Sequence, residues 1–199
     1  MKKLIGAVVF AVLVLINTNS FSYDSDPKNF IAELVDDAIK TLSDKSISKA
    51  DKAKKIETIA LDNVDINAIA MYTLGSVRKT LDQNKLKQYK ELFEKYFLKS
   101  LTSRLTDYSN NKFEVISAEQ KSETTTIVTS RIIESSSQPE LKIEWRIFTK
   151  DSTKPLIRDL RVEGLSIART QKEEFASILN SNNNDINILF AKLEEFIKN

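Results

Sequence analysis

The chain has 199 residues, 30 Lys+Arg against 28 Asp+Glu, a formal net charge of +2, no histidine and no cysteine. That composition rules out a disulfide framework and the ordinary His- and Cys-based zinc, iron and copper sites. It also removes the usual base for a serine nucleophile. The near-neutral balance lacks the clustered basic excess of a nucleic-acid-binding surface.

Met1-Lys-Lys is a short positive segment, Leu4 to Ile16 is an apolar run of 13 residues, and Ser20-Phe21-Ser22 is a small-x-small cleavage pattern. This reads as a secretory signal peptide over residues 1–22, too short in its apolar part to span a bilayer. The expected mature chain is one domain, residues 23–199, exported to a periplasm-like compartment without stable membrane insertion. Losing Lys2 and Lys3 takes Lys+Arg from 30 to 28, level with the 28 acids. No D-x-D-x-D-G calcium loop is present, so no metal is expected.

Asp26-Pro27 opens a first helix as N-cap and N1, with Phe30, Ile31, Leu34, Val35, Ala38, Ile39 and Leu42 on one stripe. Ser48 to Asp51 is a capping box for a second helix carrying Ala53, Ile56, Ile59 and Ala60. Asp65 caps a third over residues 66–74, with Gly75 at C′. Asp82 caps the longest. It carries Leu86, Tyr89, Phe93, Tyr96, Phe97, Leu101, Leu105 and Tyr108 at steps of three and four, and Asn110-Asn111 ends it.

Strand formers then take over. Residues 113–118, 124–133, 140–149 and 155–165 read as four strands with turn-rich connections. In the third, Leu141, Ile143, Trp145 and Ile147 alternate with Lys142, Glu144 and Arg146. In the fourth, the same period places Leu156, Leu160 and Val162 on one face and Ile157, Asp159, Arg161 and Glu163 on the other. The charged side chains of that second face are expected as a solvated, salt-bridged surface rather than an acid/base pair. Gly164 is expected to mark a bulge or a close backbone approach. Helices over residues 171–180 and 185–198 close the chain. Helices, then a meander, then helices is an α+β layout with a four-stranded antiparallel sheet packed against N-terminal and C-terminal helices.

Gly164-Leu-Ser166-Ile-Ala168 has the outline of a nucleophile elbow. Without a histidine, Ser166 is expected to bond the backbone in a turn, and no catalytic residue is assigned. Apolar stripes of this kind more often fill a core than line an apolar cavity, and spacing alone does not choose between the two.

Two blocks carry a resemblance. One is Val64-Asp65, then Met71-Tyr-Thr-Leu-Gly75 and the aromatic helix to Tyr108. The other is Asp159-Leu-Arg-Val-Glu-Gly164-Leu-Ser166 followed by Phe175. Their order resembles the MlaC family of periplasmic phospholipid-binding proteins, also called toluene-tolerance proteins, of the Mla lipid transport system. The first block is similar to that family's Phe-Asp, an apolar helix closing in Leu-Gly, and F-x₃-F-x₃-L spacing. The second is similar to D-x-x-x-E-G-V-S and to the final Phe of N-Y-R-x-Q-F. The resemblance spans nearly all of residues 23–199. The chain departs from the pattern at Val64 (for Phe), at Thr170-Gln171-Lys172 (for Asn-Tyr-Arg) and at Glu174 (for Gln). Lys172 keeps a charge without arginine's bidentate geometry.

The resemblance implies an NTF2-like fold and a carrier rather than an enzyme. Phospholipid would be cargo, not cofactor, shuttled between outer and inner membrane. An outer-membrane lipoprotein complex and an inner-membrane ABC transporter with its MCE subunit would be the partners. The residues expected to line the lipid cavity are Leu74, Phe93, Phe97, Leu101, Val128, Ile143, Trp145, Ile147, Leu160, Val162 and Phe175. The other readings are a periplasmic chaperone or envelope adaptor with a filled core, and an enzyme on an NTF2-like scaffold.

Overall fold

The computed structural model describes residues 23–105, 112–133, 139–151 and 154–199. Residues 1–22, expected to be a signal peptide, and Tyr108, Asn110 and Asn111 lie outside them. Among the described residues, six α-helices and five strands follow one another as α1 (Pro27–Ser43), α2 (Lys49–Asn63), α3 (Ile66–Thr73), α4 (Gln83–Leu105), β1 (Phe113–Ser122), β2 (Thr125–Ile132), β3 (Leu141–Phe148), β4 (Leu156–Val162), β5 (Leu165–Ser166), α5 (Ile167–Asn180) and α6 (Ile186–Lys198), with a short 3-10 helix, Gly75–Lys79, before α4.

The helix starts are local chemistry. Asp26 accepts from the Lys28 and Asn29 N–H groups at 2.9 and 3.1 Å, and Ser48 from Asp51 at 3.1 Å. Asp65 accepts from Ala68 at 3.1 Å, Asp82 from Lys85 at 2.8 Å and Asp185 from Asn187 at 2.9 Å. Each cap satisfies first-turn donors that the helix itself cannot. Gly75, at φ 63°, ends α3 in the left-handed region. Arg78 donates to the Met71 and Gly75 carbonyls that this ending leaves open.

The strands form one antiparallel meander in the order β1-β2-β3-β4-β5. The sheet therefore has five strands, not four. Glu163 and Gly164 both have positive φ, 49° and 81°, which is the two-residue hairpin geometry that matches strand twist. It folds Leu165 and Ser166 back onto Val162 and Arg161 as a short edge strand. A Cβ built on Gly164 meets nothing within 4 Å. The glycine serves the turn's dihedral angle, not a close approach.

The fourth strand also differs from simple alternation. Ile147 pairs with Ile157 and Arg146 with Asp159, so Arg158 is an extra residue. The bulge returns Ile157 to the face of Leu160 and Val162 and sends Leu156 to the other, because one inserted residue reverses everything beyond it.

Three rows of side chains cross the inner face: Gln120, Thr126, Ile147 and Ile157; Ala118, Val128, Trp145 and Leu160; and Val115, Ser130, Ile143, Val162 and Leu165. The outer face carries exposed ion pairs, Arg131 with Glu114 and Glu140, and Glu144 with Lys142 and Arg161.

Two apolar clusters hold the elements together. One joins α3, α4, α5 and α6 around Tyr89, Phe93, Phe175, Leu179 and Leu189. The other joins α1 and α2 to the sheet around Phe30, Ile31, Ile56, Val128, Ile147 and Ile157. Val64 packs against both. Tyr89 is wholly buried, and its hydroxyl hydrogen-bonds Thr73 at 2.9 Å. Burial raises that hydroxyl's pKa well above the ordinary phenol range.

Candidate functional site

The elbow after β4 is built on Asp159. Its carboxylate accepts from the Leu160 N–H at 2.9 Å, the Ala168 N–H at 3.1 Å and the Ser166 hydroxyl at 2.7 Å. Ser166 is the N-cap of α5, and its Oγ accepts from the Arg169 N–H at 3.0 Å. Hence α5 starts at Ile167, one turn before the expected 171. Both functions of the Ser166 hydroxyl are thus engaged in holding a helix terminus, which also favours a nearby carboxylate. The Glu163 carboxylate accepts from the Lys142 N–H at 2.6 Å. Of the expected charged face, only Arg161 stays in an ion pair, 3.9 Å from Glu144, while Asp159 and Glu163 take backbone donors instead. Replacing Ser166 by alanine is expected to lower stability by about 1 kcal/mol, the usual worth of an N-cap. Urea midpoints of the variant beside the unsubstituted protein check this.

The second motif fastens the other end. Asp65 caps α3 and also receives the Nε and Nη2 donors of Arg158, both at 2.8 Å. Its own N–H donates to the Ile157 carbonyl at 2.9 Å, and Val64 forms a parallel bridge to Ile157. The Arg158 guanidinium lies 3.3 Å from the Phe148 ring centre. The bulge is what turns Arg158 toward this site.

The apolar residues expected around a cavity separate by depth. Leu74, Phe93 and Phe175 are buried in the helical cluster, with the Phe93 and Phe175 rings edge to face at 6.3 Å. Val128 and Ile147 are buried in the sheet cluster, where Leu101 and Trp145 are half-buried. Phe97 packs against the helical cluster, one turn from Leu101. The structure therefore brings Leu101 onto Trp145's cluster and places Phe93 and Phe97 in the other. Ile143 is buried, and Leu160 and Val162 are half-buried although they face inward.

Exposure changes in steps along the inner face. In the row nearest α3, Ile147 is 0% and Ile157 7% exposed; in the far row, Ile143 is 8%, Val162 half-buried and Leu165 71%. α4 changes in the same sense. Tyr89 and Phe93 are sealed, whereas residues 96–102 are all half-buried. Within the far row, exposure thus rises toward the β5 edge, from buried Ser130 and Ile143 through half-buried Val162 to exposed Leu165.

Ser130, Leu165 and Ile167 were not anticipated. Ser130 is fully buried, accepts the Trp145 indole N–H at 2.8 Å and donates to the Ile143 carbonyl at 3.4 Å. The alternation Thr126, Val128, Ser130 carried that signal. On α5, Gln171 accepts the Tyr96 hydroxyl at 2.6 Å and donates to Glu174 at 3.0 Å. Lys172 lies 5.0 Å from the Tyr72 ring centre. A groove of about 160 Å³ opens beside these residues, between α4, α5 and α6. It is small for a ligand site and apart from the sheet face. Among the described residues, no group of three or more Asp or Glu is placed to hold a metal ion, and no helix is long and apolar enough to cross a membrane.

This is an α+β domain, a five-stranded antiparallel sheet packed against helices. Its fold matches a phospholipid-binding protein from Ralstonia solanacearum, solved in complex with a phospholipid, at a TM-score of 0.70 and 15% identity, over 84% of this chain and 94% of that one. The profile of the family described as MlaC protein matches residues 32–195. The chain belongs to the MlaC family. Curated protein sequences give no match.

Proposed function

We propose that this protein is a periplasmic phospholipid carrier of NTF2-like fold that moves lipid between outer and inner membrane, after removal of residues 1–22 as a signal peptide. One observation carries the reading: the apolar inner row Ile143, Val162, Leu165 grows more exposed where the opposite row is shut. In this reading Phe97, Leu101, Trp145, Leu160 and Val162 contact the acyl chains. Leu74, Phe93, Val128, Ile143, Ile147 and Phe175 form the wall behind them. Membership of the MlaC family and the likeness to a lipid-bound structure support it.

The work is exchange without chemistry, and the protein is not an enzyme. Each buried CH₂ is worth about 0.8 kcal/mol, so two long chains amount to roughly 25 kcal/mol, which the bilayer also supplies. A carrier therefore needs an apolar interior comparable to lipid and little headgroup chemistry. Donor and acceptor would be an outer-membrane lipoprotein complex and an inner-membrane ABC transporter with its MCE subunit.

The protein is expected to purify with phospholipid. Native mass spectrometry of the purified protein, followed by lipid extraction, measures this. Absence of stoichiometric phospholipid, even after incubation with phosphatidylethanolamine/phosphatidylglycerol vesicles, would favour a filled core and a chaperone or adaptor role.

A further inference from the structure

We propose that phospholipid passes in and out across an apolar lip formed by Leu165 and Ile167, at the seam between the second half of α4 and the β5–α5 junction. This rests on the carrier reading and places its doorway.

Register sets the position of Leu165. Val162 pairs with Ile143 on one side and with Leu165 on the other, so Leu165 continues the inner apolar row onto the edge strand. An inward-facing leucine is normally covered, yet this one is 71% exposed, the highest value among the exposed large apolar side chains of the described residues. Ile167, the first residue of α5, is 45% exposed beside it.

The seam is defined by what bridges it. α4 and α5 run in opposite senses, joined by Phe93 to Phe175 at 6.3 Å, Tyr96 to Phe175 at 5.9 Å and the 2.6 Å hydrogen bond from Tyr96 to Gln171. Four residues on from Tyr96 along α4 is the half-buried Ser100, and four residues back from Gln171 along α5 is Ile167, 45% exposed. The opposite end of the inner face is closed by Ile147, by Ile157 and by the Asp65–Arg158 pair. An acyl chain leaving the inner row at the open end therefore crosses Leu165 and Ile167.

The test is the rate of lipid exchange, separated from the amount held. Phosphatidylethanolamine/phosphatidylglycerol vesicles carrying a self-quenched fluorescent phosphatidylethanolamine are mixed with the full mature chain. Leu165→Asp combined with Ile167→Asp is expected to slow uptake about tenfold, since an acyl chain then crosses charge instead of apolar surface. Final occupancy should match the unsubstituted protein. Ile116→Asp, at the opposite edge strand and 48% exposed, should exchange at the unsubstituted rate. Circular dichroism confirms folding, and the serine pair at 165 and 167 carries the same test if the aspartates do not fold. Unchanged exchange would overturn the proposal. So would a loss of final occupancy equal to the loss of rate, which would make these side chains cavity wall instead of lip. If the unsubstituted protein takes up no lipid at all, the carrier reading itself fails, a different result from either.

Discussion

Val162→Asp is expected to give a folded protein without phospholipid, and Phe93→Asp to give no folded protein. Both replace an apolar side chain that faces inward, and they differ in what surrounds it. Phe93 is 1% exposed, with the Tyr89, Tyr96, Phe97 and Phe175 rings within 6.3 Å. Removing a buried phenylalanine costs about 3–5 kcal/mol, and an unpaired buried carboxylate adds several more. That sum reaches the total stability of about 5–15 kcal/mol of an ordinary domain. Val162 is half-buried in the open row, where a carboxylate keeps water while the interior is empty. The same carboxylate beside acyl chains would be stripped of that water, so lipid is what the variant loses. Circular dichroism beside lipid extraction reads both. If both variants unfold, the row at Val162 is ordinary packed core. If Val162→Asp keeps full lipid, the acyl chains lie elsewhere.

Asp65→Ala is expected to cost about 2–3 kcal/mol, large for one substitution at the edge of a core. About 1 kcal/mol is the lost cap on α3, and the rest follows from leaving the Arg158 guanidinium, at 35% side-chain exposure, without its carboxylate. The two oxygens do separate work: Oδ1 accepts from Ala68 and Oδ2 from Arg158. Asp65→Asn should therefore keep the cap, lose the charge and fall between the two. A double-mutant cycle with Arg158→Ala in urea isolates the pair. Lipid occupancy should survive in the folded fraction, because this pair sits at the closed end. A change below about 0.5 kcal/mol for Asp65→Ala would mean that the bulge is held by packing alone.

The same residues show where sequence reading succeeds and fails. The four caps expected from sequence, Asp26, Ser48, Asp65 and Asp82, accept first-turn donors as expected, because a cap involves only donors two or three residues away. Ser166 was legible as a backbone-binding serine for the same reason, and the lack of histidine left no other role. The Arg158 bulge was not legible. Its partner, Asp65, is 93 residues away, and alternation alone favours the regular register that the bulge breaks. The start of α5 was misplaced because Asp159, on the preceding strand, supplies half of its cap.

The candidate cavity divides in the same way. Spacing along α4 grouped Phe93, Phe97 and Leu101 as one apolar series, but the structure divides it, with Phe93 and Phe97 in the helical cluster and Leu101 in the sheet cluster; alternation grouped Ile143, Trp145 and Ile147, which do share the inner face. Neither period says which members are sealed and which stay open, since that depends on how far α4 and α5 stand from the sheet. Leu165 makes the point most plainly. Its sequence context is a glycine turn and a serine cap, and only pairing with Val162 shows that it belongs to the inner face. Composition and local spacing thus determined an α+β chain with helices begun by Asp and Ser caps, because those forces act within a few residues. The position of the proposed opening rests on tertiary structure alone, on strand register and a contact spanning 75 residues between Tyr96 and Gln171.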